Sequence, residues 1–169
     1  MLDLVRAGET SPAAELVAER AKVGLRTVFR HFNDMDSLYR EMTAVIEAEL
    51  QTVIDQPFKS VDWRGRMVEL VHRRAGAYER IAPFRRASEV HRQRSQIQAA
   101  DQARFVAIAR DILRREAPPE LVEDKARFEA LDLLLSFEAW NRLRRDQGLS
   151  PRKTVEALET AVAALIKGL

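Results

Sequence analysis

The stretch from Leu16 to Phe32, LVAERAKVGLRTVFRHF, decides how this chain is read. It divides into a short apolar-patterned helix, a three-residue break and a second short helix. In the second helix Leu25, Val28, Phe29 and Phe32 fall at i, i+3, i+4 and i+7, the spacing of a stripe able to face inward. Arg26, Thr27 and Arg30 are left pointing outward, with His31 at the edge. Two helices meeting across so tight a turn have the shape that lays a helix into the DNA major groove. There an arginine bridges guanine N7 and O6, and a threonine bonds a phosphate or touches a thymine methyl. An amphipathic hairpin with ordinary surface arginines has the same spacing, so the pattern alone leaves both readings open.

Working outward, residues 1–7 read as the last turns of a helix that began earlier and ends at Gly8, so the chain start is expected to be trimmed. Ser11 and Pro12 form a start signal, with serine as N-cap and proline at the first helical position. That helix is expected to reach about Arg20, and Gly24 to open the next. Asn33 and Asp34 then cap a long helix over 35–55, ended by Pro57. Helical patterning continues over 62–81, broken by Pro83, with a short helix to about Arg94. A helix over 95–116 stops at Pro118 and Pro119, and a single long helix is expected over 120–147, with Gly148 as its left-handed terminus. Ser150 and Pro151 repeat the start signal for a final helix ending near Gly168. No strand-like alternation occurs, so the expected fold is all-α with eight or nine helices.

Composition narrows the function classes. With 46% apolar and 32% charged residues, the chain has a globular balance. The absence of cysteine excludes disulfides, cysteine-based zinc fingers and thiol catalysis, and points to a reducing, cytoplasmic compartment. No apolar run approaches the roughly 20 residues needed to cross a bilayer, and the start lacks a signal peptide's basic flank and apolar centre. No membrane partner is therefore expected. The formal charge is only +2, but Arg20, Lys22, Arg26 and Arg30 cluster around the helix pair. A second basic run, from Arg64 to Arg94 and opposed by Glu69, Glu79 and Glu89, reads as a solvated helix face.

The carboxy-terminal part has a different pattern. Between Ala130 and Trp140 apolar side chains point in nearly every direction, and such a helix must be covered on more than one side. In the final helix Val155, Leu158, Val162 and Leu165 form one stripe, and Ala157, Ala161 and Ala164 a second of small residues. A second copy of the chain is the simplest cover, giving a two-fold four-helix interface. Its expected residues are Leu131, Leu134, Leu135, Leu158, Ala161, Val162 and Leu165. A helix pair buried inside one protomer is the alternative.

Nothing marks an enzyme. The histidines, His31, His72 and His91, lie in separate helices, and no glycine-rich phosphate loop or Ser-His-Asp set is present. Glu69 and His72 stand at a spacing that can hold a metal, but no third ligand accompanies them, so neither a metal nor a cofactor is expected. Met67, His72, Tyr78, Phe105, Phe137 and Trp140, with Ser136 and Asn141 as polar anchors, are candidates to line a pocket for a small, largely apolar effector. Aromatic and Met side chains at helical spacing also serve as plain core. The arginine-rich run 80–94 would suit an acidic effector instead.

From Val17 to Phe32, and on through Asn33, Asp34, Met35, Asp36, Ser37 and Leu38, the wording closely resembles the TetR (AcrR) family of bacterial transcriptional regulators. The resembling motif covers roughly residues 13–41, and 134–151 is similar more loosely. The resemblance implies a homodimeric all-helical repressor that leaves a palindromic double-stranded operator when a small-molecule effector binds. The DNA-binding part would be 1–46, and 47–169 an effector-binding and dimerisation domain. Carried over by position, the recognition helix spans Gly24 to His31. Leu25, Arg26, Thr27 and Arg30 fall at base or adjacent phosphate contacts, and Phe29 and His31 where the family grips the backbone. The chain departs from the pattern at Phe29, where tyrosine is usual, at Met35, where lysine is frequent, at Lys22, where glycine is common, and at Pro12 and Ala13, where hydroxyl residues often stand. These changes predict weaker, more salt-tolerant nonspecific binding, with Arg26 and Arg30 carrying more of the load. They also support a rival reading, a helical adapter that binds a protein partner rather than DNA.

Overall fold

Every regular element in the computed structural model is helical; it describes residues 1–92 and 95–169, without the side chains at 90–92, 97 and 98. The side chains of His91, Arg92 and Arg94 in the second basic run thus lie outside the described set. Ten α-helices and one π-helical turn stand among the described residues. None of these helices is long and apolar enough to cross a membrane. Contacts group the chain into two units, 1–54 with 81–105 and 55–80 with 106–169. This grouping differs from the 1–46 and 47–169 segments drawn from sequence.

The first unit begins with α1 (Leu2–Arg6), α2 (Ala14–Ala21), α3 (Leu25–His31) and α4 (Met35–Ile54). Leu4, Val17 and Leu38 form the centre of its N-terminal core, and Met1, Leu16, Phe32 and Met35 pack against them half-buried. Gly8, at φ +101°, ends the first turn. The start signal at Ser11 and Pro12 is two residues early: α2 is capped by Ala13 with no side-chain bond. The Ser11 N–H donates instead to the Glu9 carboxylate at 3.2 Å, and Pro12 is buried, which removes both from a capping role. At the entry to α4 the expected cap is present. The Ser37 N–H donates to Asp34 Oδ1 at 2.7 Å while Ser37 Oγ accepts the Asp34 N–H at 3.3 Å, a reciprocal box built with serine in place of the usual glutamate.

The break expected at Pro83 does not occur: α5 (Trp63–Arg92) runs through it. An interior proline removes a hydrogen bond and costs about 3 kcal/mol in a helix. Ile81, Ala82, Phe84 and Ala87 around it are each at most 3% exposed, and burying such side chains offsets a loss of that size. Helix α6 (Gln96–Glu116) follows.

In the second unit the single helix expected over 120–147 is four segments: α7 (Pro119–Glu123), α8 (Lys125–Leu134), α9 (Phe137–Asn141) and the π-helical turn Arg142–Asp146. The interruptions have local causes. Asp124 accepts the Arg127 N–H at 3.0 Å, and Ser136 accepts the Ala139 N–H at 3.1 Å while donating to the Leu133 carbonyl at 2.7 Å. Each polar side chain offers the backbone a cap that competes with helix continuation. Gly148 is left-handed as expected (φ +66°), and Ser150 caps α10 (Pro151–Leu165) by accepting the Lys153 N–H. Helix α10 turns Thr154, Leu158, Val162 and Ile166 inward and packs against α8.

Candidate nucleic-acid interface

The turn between α2 and α3 is closed by backbone bonds from the N–H of Lys22 to the Glu19 carbonyl and of Val23 to the Ala18 carbonyl, both at 3.0 Å. This places Lys22 in the left-handed region, at φ 55° and ψ 41°, where a side chain costs about 1 kcal/mol. Gly24 then returns to extended backbone and its carbonyl accepts the Thr27 N–H at 2.8 Å, starting α3.

Successive side chains on α3 are turned by about 100°. Val28, 6% exposed, marks the inward direction, with Phe32 half-buried beside it. Arg26 and Arg30 fall on the opposite face. Both are exposed, and neither has a hydrogen-bond or ion-pair partner among the described residues; the same holds for Lys22 in the turn. Thr27 (half-buried) and His31 (exposed) form one flank of this face.

The other flank departs from the four-residue inward stripe. Leu25 is 36% and Phe29 46% exposed, and Val23 in the turn is 41% exposed. Val28 and Phe32 seal this two-turn helix against the rest of the unit, and the two outer positions of the stripe stay more exposed. Met35 packs half-buried against the Leu4–Val17–Leu38 core.

The eight residues proposed for an effector pocket are not gathered at one place. Met67 is fully buried, and Tyr78, Phe137 and Trp140 make a packed trio with ring centroids 5.5–5.8 Å apart. The Tyr78 hydroxyl donates to the Leu135 carbonyl at 2.8 Å, the Ser136 side chain is engaged as a cap, and Asn141 is half-buried at the end of α9. Exposed His72 meets the Glu159 carboxylate through Nε2 at 2.6 Å. Phe105 belongs to the first unit, where the Arg85 guanidinium lies 4.4 Å from its ring centre; both line a cavity of about 60 Å³ walled by Ile46, Leu50, Ile81 and Phe84. An open groove of about 720 Å³ in the second unit includes Pro57, Phe58, Val68 and His72.

The glutamate that shares metal-ligand spacing with His72 is turned to another task. Glu69 accepts the N–H groups of Lys59 and Ser60 at 3.0 and 3.1 Å and the Arg73 guanidinium at 2.5 Å. Burial pushes its carboxyl up, but these donors outweigh that and hold it at about 2. Arg73 in turn donates to the carbonyls of Gln56 and Pro57, fastening the loop before α5. The expectation of a merely solvated basic face therefore fails at Arg73, and also at Arg74. Arg74 donates to the carbonyls of Leu135 and Ala109 at 3.1 and 2.6 Å.

Four of the seven residues expected at the dimer face, Leu131, Leu135, Leu158 and Val162, are at most 5% exposed in the isolated chain. They are consumed by packing within the protomer, because α8 and α10 cover each other's apolar sides. Leu134, Ala161 and Leu165 stay half-buried, and Leu133, not among the expected residues, is 64% exposed. The all-round apolar pattern of 130–140 carried that signal: more directions are apolar than one protomer covers. No protein-family model, curated protein or solved structure matches this chain.

Proposed function

We propose that this chain is a DNA-binding transcriptional regulator, a homodimeric repressor of a palindromic operator that a small-molecule effector releases. The observation that carries the reading is the pair of exposed, partnerless guanidinium groups of Arg26 and Arg30, on the face of α3 opposite Val28. Arginines fixed on one face of a short helix and left without carboxylates suit guanine edges and phosphates. The likeness of 13–41 to TetR-family regulators supports the same assignment. Leu133, with the half-buried Leu134, Ala161 and Leu165, is the surface we assign to the second copy. The groove beside Phe58 and Val68 has the volume of a small-molecule site. An effector that binds better to the conformation unable to hold the operator shifts the population away from DNA, and operator and effector then weaken each other equally.

The test is selection of duplexes from a random library by the purified protein, followed by gel shift. A recurring palindromic motif is the expected result; no enrichment overturns the reading. One observation favours a protein-binding adapter instead: the exposed apolar side chains of Val23, Leu25 and Phe29. Arg26→Ala with Arg30→Ala separates the two, because an adapter that binds through that apolar cluster keeps its partner when both arginines are removed.

A further inference from the structure

We infer that α3 reads thymine methyl groups through Leu25 and Phe29, so that the bound sequence places thymines beside the guanines met by Arg26 and Arg30. This rests on the DNA-binding reading above and names what that helix recognises.

The argument starts from the chemical asymmetry of the exposed face. Taking Arg26 and Arg30 as its centre, Phe29 lies about 80° to one side and Thr27 about 80° to the other. Leu25 extends the first flank and His31 the second. One flank is thus wholly apolar and the other polar. A helix centred in the major groove turns its two flanks toward opposite strands. The polar flank meets ordinary partners there, phosphates and base acceptors. The apolar flank gains nothing from either, because Phe29 has no hydroxyl and Leu25 no polar atom. The one apolar group that bases offer in the major groove is the C5 methyl of thymine.

The neighbouring charges select this occupant over an apolar protein surface. Arg26 and Arg30 border the cluster with no carboxylate to neutralise them, and Lys22 adds a third such cation in the adjoining turn. A protein docking on Leu25 and Phe29 has to bury or neutralise those cations, whereas duplex DNA supplies anions at the spacing of its backbone. These side chains lie outside the Leu4–Val17–Leu38 core, so they can be changed without removing any of it.

The experiment uses the full chain and a duplex selected from a random library. Each thymine of the selected site is replaced singly by uracil, which removes the methyl and leaves every hydrogen-bonding group in place. Burying a methyl-sized group is worth about fourfold in affinity, so a loss of roughly that factor is expected at one or two positions. Phe29→Ala and Leu25→Ala should each make one of those positions indifferent to uracil. Selection of a site that binds equally well with uracil throughout overturns the inference and leaves DNA binding intact. Failure to select any duplex overturns the DNA-binding reading itself, and binding of an apolar protein segment in place of DNA assigns the cluster to the adapter.

Discussion

The arginines of α3 and those packed into the second unit are used in opposite ways. In the second unit Arg73, Arg74, Arg110 and Arg144 are spent on the chain itself, as Arg6 and Arg104 are in the first, on Glu49 and Glu47. Arg110 holds Glu129 and Asp132 at 2.6–2.7 Å, Arg144 holds Glu79 at 2.6 Å, and Arg73 and Arg74 tie down backbone carbonyls. On α3 Arg26 and Arg30 hold no partner among the described residues. The side chain is the same, and its planar fork satisfies whichever oxygens lie within reach. What differs is the supply of acceptors: α3 contains no acidic residue and ends on Arg30 and His31. A cationic residue type therefore does not identify a binding surface; we take unpaired cations gathered on one helix face as the better guide.

Breaking this contrast should give its largest effect in DNA affinity. Arg26→Ala and Arg30→Ala are each expected to weaken binding to a selected duplex by tenfold or more, with an unchanged melting temperature. Equal losses from Arg110→Ala in a gel shift would erase the distinction between spent and free arginines. Second in size, Arg74→Ala removes the guanidinium that ties the Ala109 and Leu135 carbonyls together and is expected to cost about 2 kcal/mol, a fall of roughly 4–8 °C in thermal unfolding, with DNA affinity intact.

Lys22→Gly sharpens the contrast because its two readouts should move in opposite directions. Relief of the left-handed backbone is expected to add about 1 kcal/mol of stability. Removal of the cation should weaken DNA binding and reduce the slope of log affinity against log salt by about 0.9, the change for one phosphate contact. The smallest effect concerns pH. The Glu69 carboxyl lies at about 2 in the folded chain against an ordinary 4.5, so its contribution is complete above pH 4.5 and disappears as the pH falls toward 2. The difference in melting temperature between wild type and Glu69→Gln should accordingly narrow on acidification across that window.

Local chemistry was legible where one or two adjacent residues decide an outcome. Asp34 with Ser37, Gly148, and Ser150 with Pro151 all terminate helices where their types predict. The left-handed residue at Lys22 was signalled only by the resemblance, in which glycine is common at that place. Misreadings arose where distant packing outranks the local rule. Pro83 stays helical because its neighbours are buried, and Leu25 and Phe29 stay exposed because Val28 and Phe32 alone seal the two turns of α3. Ser136 was hidden inside an apolar run whose periodicity suggested continuity, and Asp124 in a charged stretch of the same expected helix. For the candidate interface, the sequence singled out Arg26 and Arg30, but their lack of partners is a property of the fold.

Helix α3 has seven residues, a rod of about 10 Å, which spans about three base pairs. Three positions distinguish only about sixty words, while a genome offers about a million or more competing places to bind. If α3 reads DNA as proposed above, a reader of this length holds too little information to find an address alone. Two copies bound to the same duplex would multiply the vocabulary to a few thousand, and the bases between them would have to supply the remainder through how readily they bend.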